Sequence, residues 1–218
     1  NGVNITGSGG TAYVRNNILN GINSTTSTGI SASATTSIIE VTGNRISSVN
    51  SGISTSSANI LVANNFIQAT FIGINSSANS SKIVFNSVNV TGGSGTTRAM
   101  DIGGSSAQTV KNNIFANNGN GYAVYSSATT IPSGSDWDFN DCYSYSRKIG
   151  FFNSVNYNTL AAWQAITGKD LNSKSVNPFF VSSTNLLMNH ISLNNTATSI
   201  SGITVDIDST LRAVTPDI

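Results

Sequence analysis

Three aspartates, Asp136, Asp138 and Asp141, follow a stretch at 126–135 made largely of Ser, Thr, Gly and Pro. Carboxylates at such spacing can act as acid and base in glycoside hydrolysis or supply oxygen ligands to calcium. Tyr122, Tyr125, Trp137, Tyr143 and Tyr145 crowd the same region. Aromatic rings stack on sugars, or on one another within a fold. Asp136, Asp141, Tyr122, Tyr125 and Tyr143 are therefore the candidate ligand-binding set, with Trp137 assigned to the core.

A second acidic group, Asp206 and Asp208, lies close to Arg212 and Asp217. It reads either as a calcium site or as a salt-bridged cap. No catalytic set emerges. His190 is the only histidine and Cys142 the only cysteine, so neither zinc coordination nor a thiol–imidazole pair can be assembled from them. Before Asp136 the only acids are Glu40 and Asp101.

Charged residues make up 9% of the chain and the net charge is +1, with no basic run. Nucleic-acid binding, which requires clustered Lys and Arg, is excluded on that ground. No apolar run approaches the roughly 20 residues of a membrane span. The chain is thus expected not to be membrane-embedded.

The elements that must position these residues are announced by a recurring frame, apolar-x-x-Asn-x-apolar. It occurs as Val14–Asn17–Leu19, Val41–Asn44–Ile46, Val62–Asn65–Ile67, Ile83–Asn86–Val88, Val110–Asn113–Phe115 and Trp137–Asn140–Cys142, at intervals of 27, 21, 21, 27 and 27. Such a period signals stacked repeats. Nothing between the apolar positions keeps a helical spacing, so each frame reads as two short strands joined at a tight corner. The asparagine itself is expected to hold the left-handed corner conformation, and its amide to bond to the next copy, giving a ladder through Asn17, Asn44, Asn65, Asn86, Asn113 and Asn140.

Gly52-Ile53, Gly73-Ile74 and Gly121-Tyr122 follow their asparagines by eight residues and mark a third strand. The longer coils place their extra residues around Gly29-Ile30, in 89–98 and in 126–135, at corners where insertions disturb no stacked strand. In this register Lys111 and Asp138 occupy the same place on successive coils, about 4.8 Å apart. They are expected to form an ion pair. Cys142 holds an apolar frame position and is expected to be a buried small hydrophobe.

These six frames resemble the coils of the right-handed parallel β-helix in the pectate-lyase-like superfamily of secreted bacterial proteins. The resemblance covers roughly residues 1–145 and implies an all-β solenoid of about six coils, secreted or at the cell surface. Enzymes of that kind use clustered carboxylates, with calcium or with a basic residue or histidine, on acidic polysaccharides. The expected organisation is coils over 1–148 and a C-terminal capping segment over 149–218.

The capping segment carries the best helix signal, 158–168. Asn158 or Thr159 caps its start, Leu160, Trp163 and Ile166 or Thr167 share a face, and Gly168 ends it. Strand-like runs follow at 178–181 and 186–188, and Leu160, Trp163 and Phe179 are expected to bury against the solenoid. This tail is similar to the segment that accompanies such β-helices, through Trp163, Gly168-Lys169-Asp170-Leu171-Asn172-Ser173, Asn177-Pro178-Phe179-Phe180 and Asp206-Ile207-Asp208-Ser209-Thr210-Leu211-Arg212. Ser209 stands where glycine is usual, and the resemblance stops at Ile218, which implies a longer parent polypeptide.

Two functions follow as expectations. One is a non-catalytic structural or adhesive module whose partner is a glycan or another surface protein, with no cofactor beyond a possible calcium. The alternative is a polysaccharide lyase or glycoside hydrolase.

Overall fold

The computed structural model describes residues 2–22, 24–34 and 38–218. Thr35, Thr36 and Ser37, part of the extra length in the first coil, lie outside them. Each coil contributes strands to three faces.

The approach face precedes the asparagine corner. Its sheet stacks Thr11–Arg15, Ile38–Thr42, Ile60–Ala63, Lys82–Val84, Thr109–Lys111 and Asp136–Asp138, all parallel. The exit face follows the corner, with Ile18–Asn20, Ser87–Val90, Ile114–Asn117 and Asp141–Ser144. The return face holds Val3–Ile5, Thr28–Ala32, Arg98–Ile102, Tyr122–Tyr125 and Lys148–Phe152. In the two shortest coils, exit and return merge into single strands, Arg45–Thr55 and Phe66–Ser76. The architecture is a parallel β-helix, and its last parallel return strand begins at Lys148.

The repeat frame becomes the core because its apolar positions all point inward. Val14, Val41, Val62, Ile83, Val110 and Trp137 align on the approach face. Leu19, Ile46, Ile67, Val88, Phe115 and Cys142 do so on the exit face. Ile30, Ile53, Ile74, Met100 and Val124 align on the return face, and nearly all these side chains are buried. The glycine marker is explained by close approach, since a Cβ on Gly73 would collide with Val88 and with the backbone of the next coil.

Gly121-Tyr122 departs from the expected register. Val124 aligns with Met100 and Ile74, so Ala123 takes the glycine place and Tyr122 turns outward beside Arg98. The eight-residue count failed here because Asn118 to Gly121 add length between the exit and return strands.

The ladder runs through the described coils without a break. Nδ2 of Asn17, Asn44, Asn65, Asn86 and Asn113 donates to Oδ1 of the next asparagine at 2.9–3.0 Å. Each of those Oδ1 atoms also accepts the main-chain N–H of the preceding ladder residue, at 2.9–3.1 Å. The expected backbone role is corrected, however. Positive φ belongs to the residue before each asparagine: Asn16, Gly43, Asn64, Phe85, Asn112 and Phe139. The ladder residue is selected for its amide, which from Asn44 to Asn113 bonds approach-face carbonyls of its own and the preceding coil as well as the next asparagine.

One helix, α1 (Leu160–Thr167), closes the C-terminal end. Thr159 caps it by accepting from Ala162 N at 3.2 Å, and Gly168 ends it at φ 63°. Trp163 is fully buried over Gly150, where a Cβ would strike the indole, while Leu160 packs half-buried on the core and Ile166 is exposed.

Beyond α1 the chain turns back along the corner between the approach and exit faces. Lys174 pairs with Asp141 in a parallel bridge. Asn112 Nδ2 then donates to Thr198 O (2.7 Å), Asn64 Nδ2 to Val205 O (2.9 Å), and Arg45 pairs with Asp208 (2.6 Å). This strap covers outward apolar side chains, including Ala63, Phe85, Ile114 and Ala116, with Leu193, Ala197 and Ile218. Two expectations fail. Residues 178–181 and 186–188 form no strands, although Val181 N reaches Leu187 O at 3.1 Å. Phe179 is 58% exposed and stacks on His190 instead of on the solenoid.

Candidate functional site

The acidic cluster is separated by the corner it flanks. Asp136 and Asp138 stand outward on the approach face, with Trp137 buried between them. Lys111 pairs with Asp136 at 2.6 Å, not with Asp138 as the register suggested. Asp138 is already occupied: Oδ1 accepts from Phe139 N (2.9 Å) and Asn172 N (2.7 Å), and Oδ2 from Asn172 Nδ2 (2.7 Å). A carboxylate that ties down two backbone amides leaves the lysine to its diagonal neighbour.

Asp141 begins the exit face and is completely buried beneath the strap. Its Oδ1 accepts from Val176 N at 2.9 Å, whereas Oδ2 has no hydrogen-bond partner. Burial pushes its pKa up to about 7, against the opposing pull of the Val176 amide.

The aromatic candidates also divide. Tyr122 and Tyr125 lie on the return face, joined there by Phe151. The Tyr125 and Phe151 rings stack at 4.5 Å, and the Arg98 guanidinium covers Tyr125 at 3.6 Å. Tyr125 thus has a cation and a second ring as its partners. The Tyr122 hydroxyl donates to Asn156 at 2.8 Å, with Lys148 Nζ 5.3 Å from its ring. Arg98 also pairs with Asp101, whose carboxyl is pushed up by burial and held back by that arginine. Tyr143 lies on the exit face, where its hydroxyl accepts from Asn177 at 3.4 Å. Of the two uses open to these aromatics, Tyr125 thus stacks on another ring of the fold, with both rings half-buried. The five candidate ligand residues occupy three faces.

In the tail, Asp206 Oδ1 accepts from the backbone of Asp208 and Thr210, each at 2.9 Å, within a short turn. Asp208 is paired with Arg45, and Asp217 accepts from Asn195 N at 2.8 Å. Arg212 donates to Asn64 Oδ1 (2.9 Å) and lies 3.6 Å over the Phe85 ring. Among the described residues no three His, Cys, Asp or Glu side chains gather as a metal-binding group. His190 caps a 3₁₀ turn through Nδ1, and Cys142 is buried, its thiol pushed up by burial and then by Asp170 and Asp141.

The residue that sequence reasoning missed is Asp170. Its Oδ1 accepts the last ladder amide, Asn140 Nδ2, at 2.9 Å, and Ser173 Oγ at 2.8 Å. Its Oδ2 accepts Trp163 Nε1 at 2.8 Å. Burial raises its pKa, the three hydrogen bonds oppose that, and Asp138 adds to the rise. The signal was present but disguised, since the interval from Asn140 is 30 and the residue is an acid outside the apolar frame.

A parallel β-helix whose asparagine ladder is terminated by a buried aspartate is the class that these observations define. Comparisons with protein-family models, curated proteins and solved structures return no match. Among the described residues no helix is long and apolar enough to cross a membrane.

Proposed function

We propose that this chain is a rigid, non-catalytic module of a secreted or cell-surface protein of the pectate-lyase-like β-helix type, presenting its outer faces and corner loops to a glycan or protein partner. The observation that carries this reading is the separate employment of Asp136, Asp138 and Asp141. The first neutralises Lys111, the second fixes the strap at Asn172, and the third is buried against Val176. Lyase or hydrolase chemistry needs a proton-transfer group and a charge-stabilising group converging on one substrate atom. These side chains diverge from a corner.

The low charge of the chain and its long polar faces support a role in spacing and display. The return face, with Tyr122, Asn156 and Lys148 at its rim, is the most chemically varied surface for a partner. A screen of the purified chain against plant and algal polyuronates with calcium, alongside a glycan array, tests the proposal. Binding without turnover supports it. Calcium-dependent release of unsaturated oligosaccharides, abolished by Asp136→Ala or Asp141→Ala, overturns it.

A further inference from the structure

Asparagine loses its side-chain amide fastest where glycine follows, because glycine has no Cβ to crowd its nitrogen as that nitrogen closes on the asparagine side chain. The chain has four such pairs, beginning at Asn1, Asn20, Asn118 and Asn120. Asn1 lies outside the described residues. Asn20, Asn118 and Asn120 are all exposed, so access to water does not tell them apart. Their glycine nitrogens do.

Gly21 N donates to Ser47 O at 2.8 Å, continuing the pairing of Ile18–Asn20 with the next coil. Gly119 N donates to Asn117 Oδ1 at 3.0 Å. Each of these nitrogens must give up its acceptor before it can attack a neighbouring side chain. Gly121 N donates to nothing among the described residues. Its carbonyl, in contrast, is held from the following coil by Ser144 Oγ at 2.8 Å and Ser146 Oγ at 3.1 Å. A Cβ on Gly121 would lie 1.9 Å from Thr97 O, so packing demands glycine here. The fold therefore keeps, beside an exposed asparagine, the residue type whose nitrogen is least hindered, and leaves that nitrogen unengaged.

We propose that Asn120 is a site of spontaneous modification, converted by solvent water through a cyclic imide to aspartate and isoaspartate. Gly121 N attacks Asn120 Cγ, a C–N bond forms, the proton of that nitrogen passes to solvent, and Nδ2 leaves as ammonia. Water then opens the ring at either carbonyl, and nothing is oxidised or reduced. Opening at the former side-chain carbonyl gives aspartate. Opening at the former main-chain carbonyl gives isoaspartate, with one extra methylene in the backbone. Both products cut a tie between coils, since Asn120 Nδ2 donates to Gly93 O at 2.7 Å and a carboxylate has no hydrogen to donate. A negative charge also enters a corner where Lys148 Nζ is held on Gly95 O at 3.1 Å. The isoaspartate goes further. Its longer backbone must fit where the Gly121 backbone already lies against Thr97, and the next bond along the chain is Tyr122 N to Thr97 O at 2.8 Å. Modification of this corner thus reaches Tyr122 on the return face.

The test incubates the full chain in mildly alkaline buffer, native and in denaturant, and follows each pair by peptide mapping with mass spectrometry, which records the conversion of amide to acid. The native rate at Asn120, relative to its rate in denaturant, should exceed the same ratio at Asn20 and Asn118 by about tenfold or more, because their glycine nitrogens are freed only by local opening. Hydrogen exchange at Tyr122 N should accelerate in the isolated isoaspartyl form, and much less in Asn120→Asp, which carries the charge without the added methylene. Equal ratios at the three sites, or an Asn120 that stays intact in the native chain while the denatured chain converts, overturn the proposal. Unchanged exchange at Tyr122 N in the isoaspartyl form overturns its extension to the return face.

Discussion

Asn140 Nδ2 and Asp170 Oδ1 meet at 2.9 Å inside the closed end of the solenoid, where the carboxylate accepts the amide that a seventh asparagine would otherwise have accepted. The same carboxylate takes the Trp163 indole N–H, so one side chain joins the ladder to the helix that covers it. Asp170→Ala removes the acceptor of three buried donors, Asn140 Nδ2, Ser173 Oγ and Trp163 Nε1. Unpaired buried donors cost about 1–3 kcal/mol each, and chemical denaturation should show a loss near the sum. Asp170→Asn keeps the acceptor toward Asn140 and Ser173 but turns an NH₂ toward the Trp163 indole N–H, and should lose less.

Asp141 makes stability depend on pH. Its native pKa of about 7 lies above the ordinary 3.8, so the native state binds the proton more tightly than the unfolded chain. The contribution is full below about pH 4 and is lost as pH rises to about 7. At pH 8 a buried carboxylate with one unpaired oxygen remains, at a cost of up to about 4 kcal/mol. Asp141→Asn retains an acceptor for Val176 N and should be more stable than the parent at pH 8, with little advantage at pH 4. Parallel denaturation curves for the two proteins across this range would contradict the assignment.

Asn65 serves neighbours on both sides. Its amide donates to Asn86, Val41 and Ala63, and its oxygen accepts from Asn44 twice. Asn65→Ala should cost about 1–3 kcal/mol. Asn17→Ala, at the end of the column, should cost less. Equal melting temperatures for Asn65→Ala and the parent would refute the ladder's energetic role.

Ending the chain after residue 176 removes most of the strap while keeping Asp170 and Ser173. Phe85, Ile114 and Ala116 would then face water, and the truncated protein should bind a hydrophobic dye and aggregate. A monomeric truncation of parental stability would show the strap to be an independent appendage. Arg212→Ala within the whole chain should give a milder version, about 1–2 kcal/mol, through loss of its Phe85 and Asn64 contacts.

The solenoid was legible because one constraint repeats. Each coil must aim its apolar residues inward at the same three places, so Val41, Val62 and Ile83 recur with the ladder asparagine three residues behind them. What escaped was decided by single contacts. Lys111 goes to Asp136 because Asn172, from a distant segment, has taken Asp138. The corner strain moves one residue earlier because Asn65 needs its side chain inside, which leaves Asn64 or Phe85 to carry the positive φ. Tyr122 turns outward because a two-residue slip relative to the glycine count set its coil's register. Asp170 was hidden by its chemistry, since a charged residue seldom signals a buried ladder position. The candidate site was legible only as composition, and the corner then divided it.

Because the strap runs against the direction of coiling, Thr198 meets Asn112, Val205 meets Asn64 and Asp208 meets Arg45, each contact reaching an earlier rung than the last. It therefore acts as a ruler. An ordinary solenoid can gain or lose an internal repeat at little more than local expense. Here one coil inserted between Asn65 and Asn113 would lengthen one side by about 4.8 Å and leave the other unchanged. These anchor points could not then all engage together. The number of internal coils is consequently gauged by the tail, and growth of such a rod is confined to the end that the tail does not reach.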